Sequence, residues 1–157
     1  LRSSLIRCIY TLQLYQRAPV MFRILQLDHV VLRVKNLQLM LDFYQQVLGC
    51  SLERQETELG LYQLRAGNSL IDLVPVEQPL GQQGGTAPGA EGHNMDHLCL
   101  RIEPFESETL QQHFRSKGVT AGPVESRYGA EGKGPSIYIQ DPEGNTVEIK
   151  GPPTLLT

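Results

Sequence analysis

An eight-residue segment occurs twice in this chain and constrains its fold more than any other feature. Leu27-Asp28-His29-Val30-Val31-Leu32-Arg33-Val34 returns 68 residues later as Met95-Asp96-His97-Leu98-Cys99-Leu100-Arg101-Ile102. Asp, His, Leu and Arg recur at matched positions, with mostly apolar residues between them. A second echo follows, in which Gly67-Asn68-Ser69-Leu70-Ile71-Asp72-Leu73 resembles Gly144-Asn145-Thr146-Val147-Glu148-Ile149. Self-similarity of this kind marks one supersecondary unit used twice. Each half starts on an Asp-His strand and ends on a Gly-Asn turn leading into a strand that carries a carboxylate.

Between these landmarks both halves hold a segment of helical period. Leu37, Leu41, Tyr44 and Leu48 recur at three- and four-residue spacing before Gly49, and Leu110 and Phe114 do so before Gly118. The second helix is expected over Glu106–Lys117, with acids in its first turn and Lys117 in its last. Strands are expected around 50–57, 60–66 and 69–76, then near 119–126, 135–140 and 145–150. Each module therefore reads β-α-β-β-β, one spanning about 24–80 and the other 94–151. A Gly-rich linker at 77–94 joins them, and a shorter Gly-rich loop is expected at 127–134.

Composition narrows the class. With 157 residues, 40% hydrophobic and 20% charged, the chain has the profile of a globular domain. No run approaches the ~18 apolar residues of a membrane span. A net charge of −3 gives no basic footprint for nucleic acid. Cys8, Cys50 and Cys99 lack metal-ligand spacing and read as reduced thiols of a cytoplasmic protein. Residues 1–20 carry Arg2, Arg7 and Arg17 and no acid, which leaves −6 on the other 137 residues. Residues 1–23 are read as an extension outside the fold, with a transit peptide or a docked helix as alternatives.

Side chains alternate across a strand, so parity assigns faces. Val30, Leu32 and Val34 share a side, as do Leu98, Leu100 and Ile102, and both sets would cover the helices. His29 and Arg33, and His97, Cys99 and Arg101, take the other side. Asp72 opposes Ile71 and Leu73, Glu148 opposes Val147 and Ile149, and Ser136, Tyr138 and Gln140 form the polar set of their strand. A sheet curved around this second face would gather two imidazoles and two carboxylates. That set suits one divalent first-row ion: Zn, Ni, Co, Mn or Fe. A single strand histidine is more often structural than a ligand; the correspondence of all four residues between the halves favours a metal. Asp28 and Asp96 read as turn or strand-start residues, His93 as a loop residue and His113 as a solvated helix residue. Cys99 reads as a small buried thiol.

The chain resembles the vicinal oxygen chelate superfamily, which includes glyoxalases, bleomycin-resistance proteins and extradiol dioxygenases. The resemblance rests on the segment 27–34, on Phe43-Tyr44-Gln45-Gln46-Val47-Leu48-Gly49, on Asp96-His97-Leu98 and on the run from Tyr138 to Glu148 containing Asp141-Pro142-Glu143-Gly144-Asn145. It implies an α+β fold of two βαβββ modules within residues 24–151, forming an incomplete barrel around a metal. In many relatives the site is completed between two subunits, so a homodimer is expected. His29, His97 and Glu148 match the family's metal triad. Asp72 stands where glyoxalase I-like members place a fourth ligand, usually Glu, and is one methylene shorter. Tyr138 matches a substrate-contacting Tyr of some branches.

The function expected from this resemblance is a metal-dependent lyase or isomerase of glyoxalase type. The metal would hold two neighbouring oxygens of a small substrate, while Glu148 or Asp72 removes and returns a proton. Arg33, Arg101, Arg127 and Lys133 are candidate contacts for an anionic substrate. An Fe(II) extradiol-type dioxygenase using His29, His97 and Glu148 is the first alternative. A small-molecule binding or resistance protein is the second.

Overall fold

The computed structural model describes residues 25–91 and 95–154. The readings of the basic leader and of His93 lie outside the described residues. The first module runs β1 (His29–Val34), α1 (Leu37–Asp42), a π-helical turn (Phe43–Val47), β2 (Ser51–Glu56), β3 (Leu61–Ala66) and β4 (Ser69–Pro75). A single helical turn, α2 (Pro79–Gln82), stands in the linker. The second module runs β5 (His97–Arg101), α3 (Ser107–Ser116), β6 (Glu125–Gly129), β7 (Gly132–Gln140) and β8 (Thr146–Lys150).

The repeat in the sequence is a repeat in topology. One sheet has the order β1-β4-β3-β2 and the other β5-β8-β7-β6, each with a single parallel pair. Val31 lies opposite Asp72 in the first sheet and Cys99 opposite Glu148 in the second. On the antiparallel side, Gln63 lies opposite Asp72 and Tyr138 opposite Glu148. Parity assigns the apolar face correctly. Leu32, Val34, Leu64, Ile71, Leu73, Ile137, Ile139, Val147 and Ile149 are buried with Met40, Phe43, Tyr44 and Phe114 in one core spanning both modules. Fully burying an aliphatic side chain of this size stabilises by about 1.5–3 kcal/mol. Charged residues on the opposite faces are thus held by an apolar layer behind them.

Three local expectations are corrected. The first helix gives way at Phe43 to a π turn, in which Leu48 N–H donates to Phe43 O at 3.3 Å. The segment 127–134 is a hairpin rather than a loop: Arg127, Tyr128 and Gly129 pair with Gly134, Lys133 and Gly132 across a two-residue turn. Gly132 sits at φ 122°, backbone that side chains other than glycine's disfavour, so the glycines that suggested a loop serve the tight turn. Residues 119–124 make only the isolated bridge Ala121 to Ile139, and the strand there starts at Glu125.

Asp141-Pro142-Glu143-Gly144-Asn145 joins the two modules. Asp141 is buried and accepts backbone N–H groups of Glu143 and Asn145, the Asn145 side chain, and the Tyr44 hydroxyl at 3.2 Å. Glu143 Oε1 accepts the N–H groups of Lys35 and Asn36 at 2.7 and 2.6 Å, just ahead of α1. His113 corrects its reading as solvated. Its Nε2 lies 2.7 Å from Val47 O, so it closes the C-terminal end of the π turn from the other module.

Candidate metal centre

His29 and His97 are each preceded by an aspartate, and the structure shows why the pair recurs. His29 Nδ1 lies 2.7 Å from Asp28 Oδ1, and His97 Nδ1 lies 2.7 Å from Asp96 Oδ2. Side chains on successive residues normally oppose each other; here the aspartates stand just before the strands begin, where the backbone is free to turn them back. Donation of Nδ1–H to a carboxylate fixes the tautomer in which Nε2 presents a lone pair. The Asp28 hydrogen bond, followed by the charge of Asp72, raises the His29 pKa above the ordinary imidazole value.

The carboxylates are the buried members of the two His–carboxylate sets. Asp72 is 3% exposed and Glu148 6%. Gln63 Nε2 donates to Asp72 Oδ2 at 3.0 Å, and the Tyr138 hydroxyl donates to Glu148 Oε2 at 3.5 Å, in the same relative position. The remaining oxygens, Asp72 Oδ1 and Glu148 Oε1, are buried without a hydrogen-bond partner. An unpaired buried carboxylate oxygen is costly, and a cation relieves the cost. His97 Nε2 lies 3.2 Å from Glu148 Oε2. With Nδ1 carrying the ring proton, two lone pairs face each other across that gap, a second arrangement that a cation satisfies. The donor set of neutral imidazoles and carboxylates therefore fits a divalent ion.

These pairs remain apart within one chain. Among the described residues, no three of His, Cys, Asp and Glu converge as an ion's ligands. His29 and Asp72 lie on one sheet, and His97 and Glu148 on the other.

The family model for the glyoxalase/bleomycin resistance protein/dioxygenase superfamily matches residues 26–149. The chain belongs to that superfamily. Virulence protein STM3117 of Salmonella typhimurium is 31% identical over 133 residues, covering 79% of this chain and 82% of that protein. Its crystal structure superimposes with a TM-score of 0.68 at 26% identity, covering 83% of this chain and 99% of that one. Mitochondrial methylmalonyl-CoA epimerase of Mus musculus is 23% identical over 145 residues, covering 87% of this chain and 78% of the epimerase. The lactoylglutathione lyase structure from Agrobacterium tumefaciens shares the fold, with a TM-score of 0.55 at 22% identity and coverage of 80% and 92%.

Within this superfamily fold, the candidate anion-binding residues separate into distinct roles. Arg33 is committed to the linker: its guanidinium donates to the carbonyls of Gly81, Gly84, Gly85 and Thr86 at 2.7–3.1 Å. A Cβ at Gly84 would overlap that guanidinium, so glycine there makes the embrace possible. Arg101, at the equivalent position of β5, holds Glu131 at the tip of the β6–β7 hairpin at 2.7 Å and also reaches Glu103 and Ile102 O. Arg127 lies over the Tyr138 ring, 4.4 Å from its centroid, and donates to Ser136 Oγ at 2.8 Å and to Glu125. It braces Tyr138 from the side away from Glu148. Lys133 falls on the same parity as Ile137 and Ile139, opposite Tyr138, and is exposed.

Around the second His–carboxylate set, His97, Cys99, Arg101, Glu148 and Lys150 line a cavity of about 350 Å³ under the hairpin. Cys99 is exposed, contrary to its reading as buried, because β5 is an edge strand. Partial desolvation against the sheet, then the charge of Glu148, push its thiol up to about 11, so it is protonated at neutral pH. Burial, then Glu148, also raises Tyr138, which keeps its hydroxyl a donor. Asp28 and Asp96 stand at the strand starts, as read from the sequence, but their hydrogen bonds to the histidines are new with the structure, as are the contacts of Gln63 and Lys150. Gln63 and Lys150 were legible from parity, since each shares a face with its neighbouring carboxylate.

Proposed function

We propose that the protein is a divalent-metal-dependent lyase or isomerase acting on a small substrate with two neighbouring oxygens. His29, His97 and Glu148 would hold the ion, with Asp72 as fourth ligand or as the base beside it. The ion, when bound, supplies Lewis-acid polarisation of the substrate oxygens. The carrying observation is the paired orphan oxygens, Asp72 Oδ1 and Glu148 Oε1, each buried on the same sheet face as a histidine whose Nδ1 is fixed by an aspartate.

The chain's own residues supply the remaining chemistry. A carboxylate shielded from water and near a polarised C–H is positioned as a general base, and Glu148 and Asp72 lie on opposite modules for removing and returning a proton. Tyr138, its ring held under Arg127, directs its hydroxyl at Glu148 and orients that carboxylate.

A homodimer would unite the half-sites. β1 and β5 are both sheet edges with unpaired backbone, and the exposed Val31 projects from the same face as His29. A second copy placing its His97–Glu148 face over His29–Asp72 would cover these edges and complete two equivalent sites. Reduced Cys50 and Cys99 suit the cytoplasm. No helix among the described residues is long and apolar enough to cross a membrane.

The test loads chelator-stripped protein separately with Zn, Ni, Co, Mn and Fe(II) and incubates it with hydroxyacetone in deuterated water. The proposal expects metal-dependent deuterium incorporation beside the carbonyl, lost in Glu148→Gln. Oxygen uptake with catechol and ferrous iron, without exchange, would overturn it in favour of a dioxygenase.

A further inference from the structure

The two modules differ sharply at one matched position. Arg33 lies opposite Val74 in the first sheet, and Arg101 lies opposite Lys150 in the second. Lys150 shares the face of Glu148 and is 6% exposed, an unusual setting for an ammonium group. Its Nζ donates to Arg127 O at 2.6 Å and to Gly134 O at 3.3 Å. An ammonium carries three donors, so two carbonyls leave one unused.

Carbonyls solvate a cation but do not neutralise it. Among the described residues no carboxylate lies within ion-pair distance of Lys150: Glu131 and Glu103 are taken by Arg101, and Glu148 faces His97. A buried charge without a counter-charge is unfavourable unless something else supplies one. The lysine stem passes so close under the hairpin that a Cβ at Gly129 would overlap its Cε, so the hairpin accommodates this side chain. Lys150 lines the 350 Å³ cavity that also holds His97 and Glu148.

We propose that the Lys150 end of this cavity is a subsite for an oxyanion, the carboxylate or phosphate of a small substrate whose reacting end lies toward His97 and Glu148. The inference rests on the proposed function in taking that cavity as the site. It also replaces the arginines as the source of anion recognition: Arg33 and Arg101 spend their donors on loop carbonyls and hairpin carboxylates, whereas Lys150 keeps one. The first module, with Val74 at the matched position, offers no such group, so a substrate would bind in one orientation.

The test uses metal-free protein, so that its failure is separate from failure of the metal reading. Inorganic phosphate and acetate are titrated at constant ionic strength against chloride, following the amide signals of Gly129, Glu131 and Gly134 and the Lys150 Nζ resonance by NMR. The expected result is saturable millimolar binding of one or both oxyanions, with the better probe naming the group, and at least tenfold weaker binding in Lys150→Met. Absence of saturable shifts with both probes would overturn the subsite, as would equal affinity in a folded Lys150→Met. The Nζ resonance of the unmodified protein decides the matter even where that variant does not fold.

Discussion

Nε2 of His97 stands 3.2 Å from Oε2 of Glu148, while the other nitrogen of the same ring is held 2.7 Å from Asp96. With Nδ1 carrying the ring proton, both groups present lone pairs to the gap between them, and among the described residues no Lys or Arg forms an ion pair with Glu148. The first module repeats the theme with His29, Asp28 and Asp72. In the proposed metal centre the aspartates that begin each repeat would act through the imidazoles they hold.

Replacing Asp96 or Asp28 with Ala should weaken metal affinity about 10- to 100-fold, the usual consequence of losing a carboxylate behind a ligating histidine. Competition with a chelating dye measures it. Both aspartates are exposed, so the melting temperature of the metal-free protein should stay within a degree or two.

Metal should raise thermal stability by linkage, by about 2.7 kcal/mol at one hundred times the dissociation constant. Glu148→Gln should abolish this increment, whereas Asp72→Asn should retain a reduced one. Calorimetry with and without the ion separates the two carboxylates.

Arg33→Met should free the linker without affecting the metal. Four backbone carbonyls lose their donors, and residues 81–86 should become several times more sensitive to limited proteolysis. Metal affinity should stay within about twofold, because the guanidinium touches no candidate ligand. The sequence showed Arg33 on the same face as His29 but not the loop that descends onto it; parity orders residues along a strand and carries no information about loops packed above it.

The same limit explains most of what the sequence left illegible. The duplicated Asp-His segment and the alternation of Leu32, Ile71, Val147 and Ile149 revealed the modules, the sheet faces and the four candidate ligands, because period-two patterning is a local property. Glycine marks tight turns and open loops alike, so the sequence of residues 127–134 suggests a loop where the structure forms the Gly129–Gly132 hairpin. The partner of His113, Val47 O, is a backbone atom 66 residues away, which no local pattern reveals. The separation of the two His–carboxylate sets depends on how the modules dock, which no local pattern encodes.

Tyr44 links the modules through Asp141, and burial, then the aspartate's charge, raises its pKa far above the ordinary phenol value. In the unfolded chain Tyr44 would ionise near pH 10, whereas in the folded chain it stays neutral. Its contribution to stability is therefore complete below pH 10 and lost progressively as pH rises above that value. Titration at 295 nm should show Tyr44 absent from the folded-state transition, and Tyr44→Phe should leave the folded-state amplitude unchanged while lowering the unfolded-state amplitude by one tyrosine. The variant should cost about 1 kcal/mol, because Asp141 retains three other donors.

Mixing two inactive variants tests the split site most directly. One chain carries His29→Ala with Asp72→Asn, the other His97→Ala with Glu148→Gln, and each alone should bind no tight divalent ion. After the two are unfolded and refolded together, half of the random dimers pair one variant with the other. Each mixed dimer regenerates one complete site from the intact module of each chain. Calorimetric titration should then recover about one ion per mixed dimer, with wild-type affinity. A mixture that binds no ion, from variants shown to form mixed dimers, would contradict a metal centre shared between two copies of this chain.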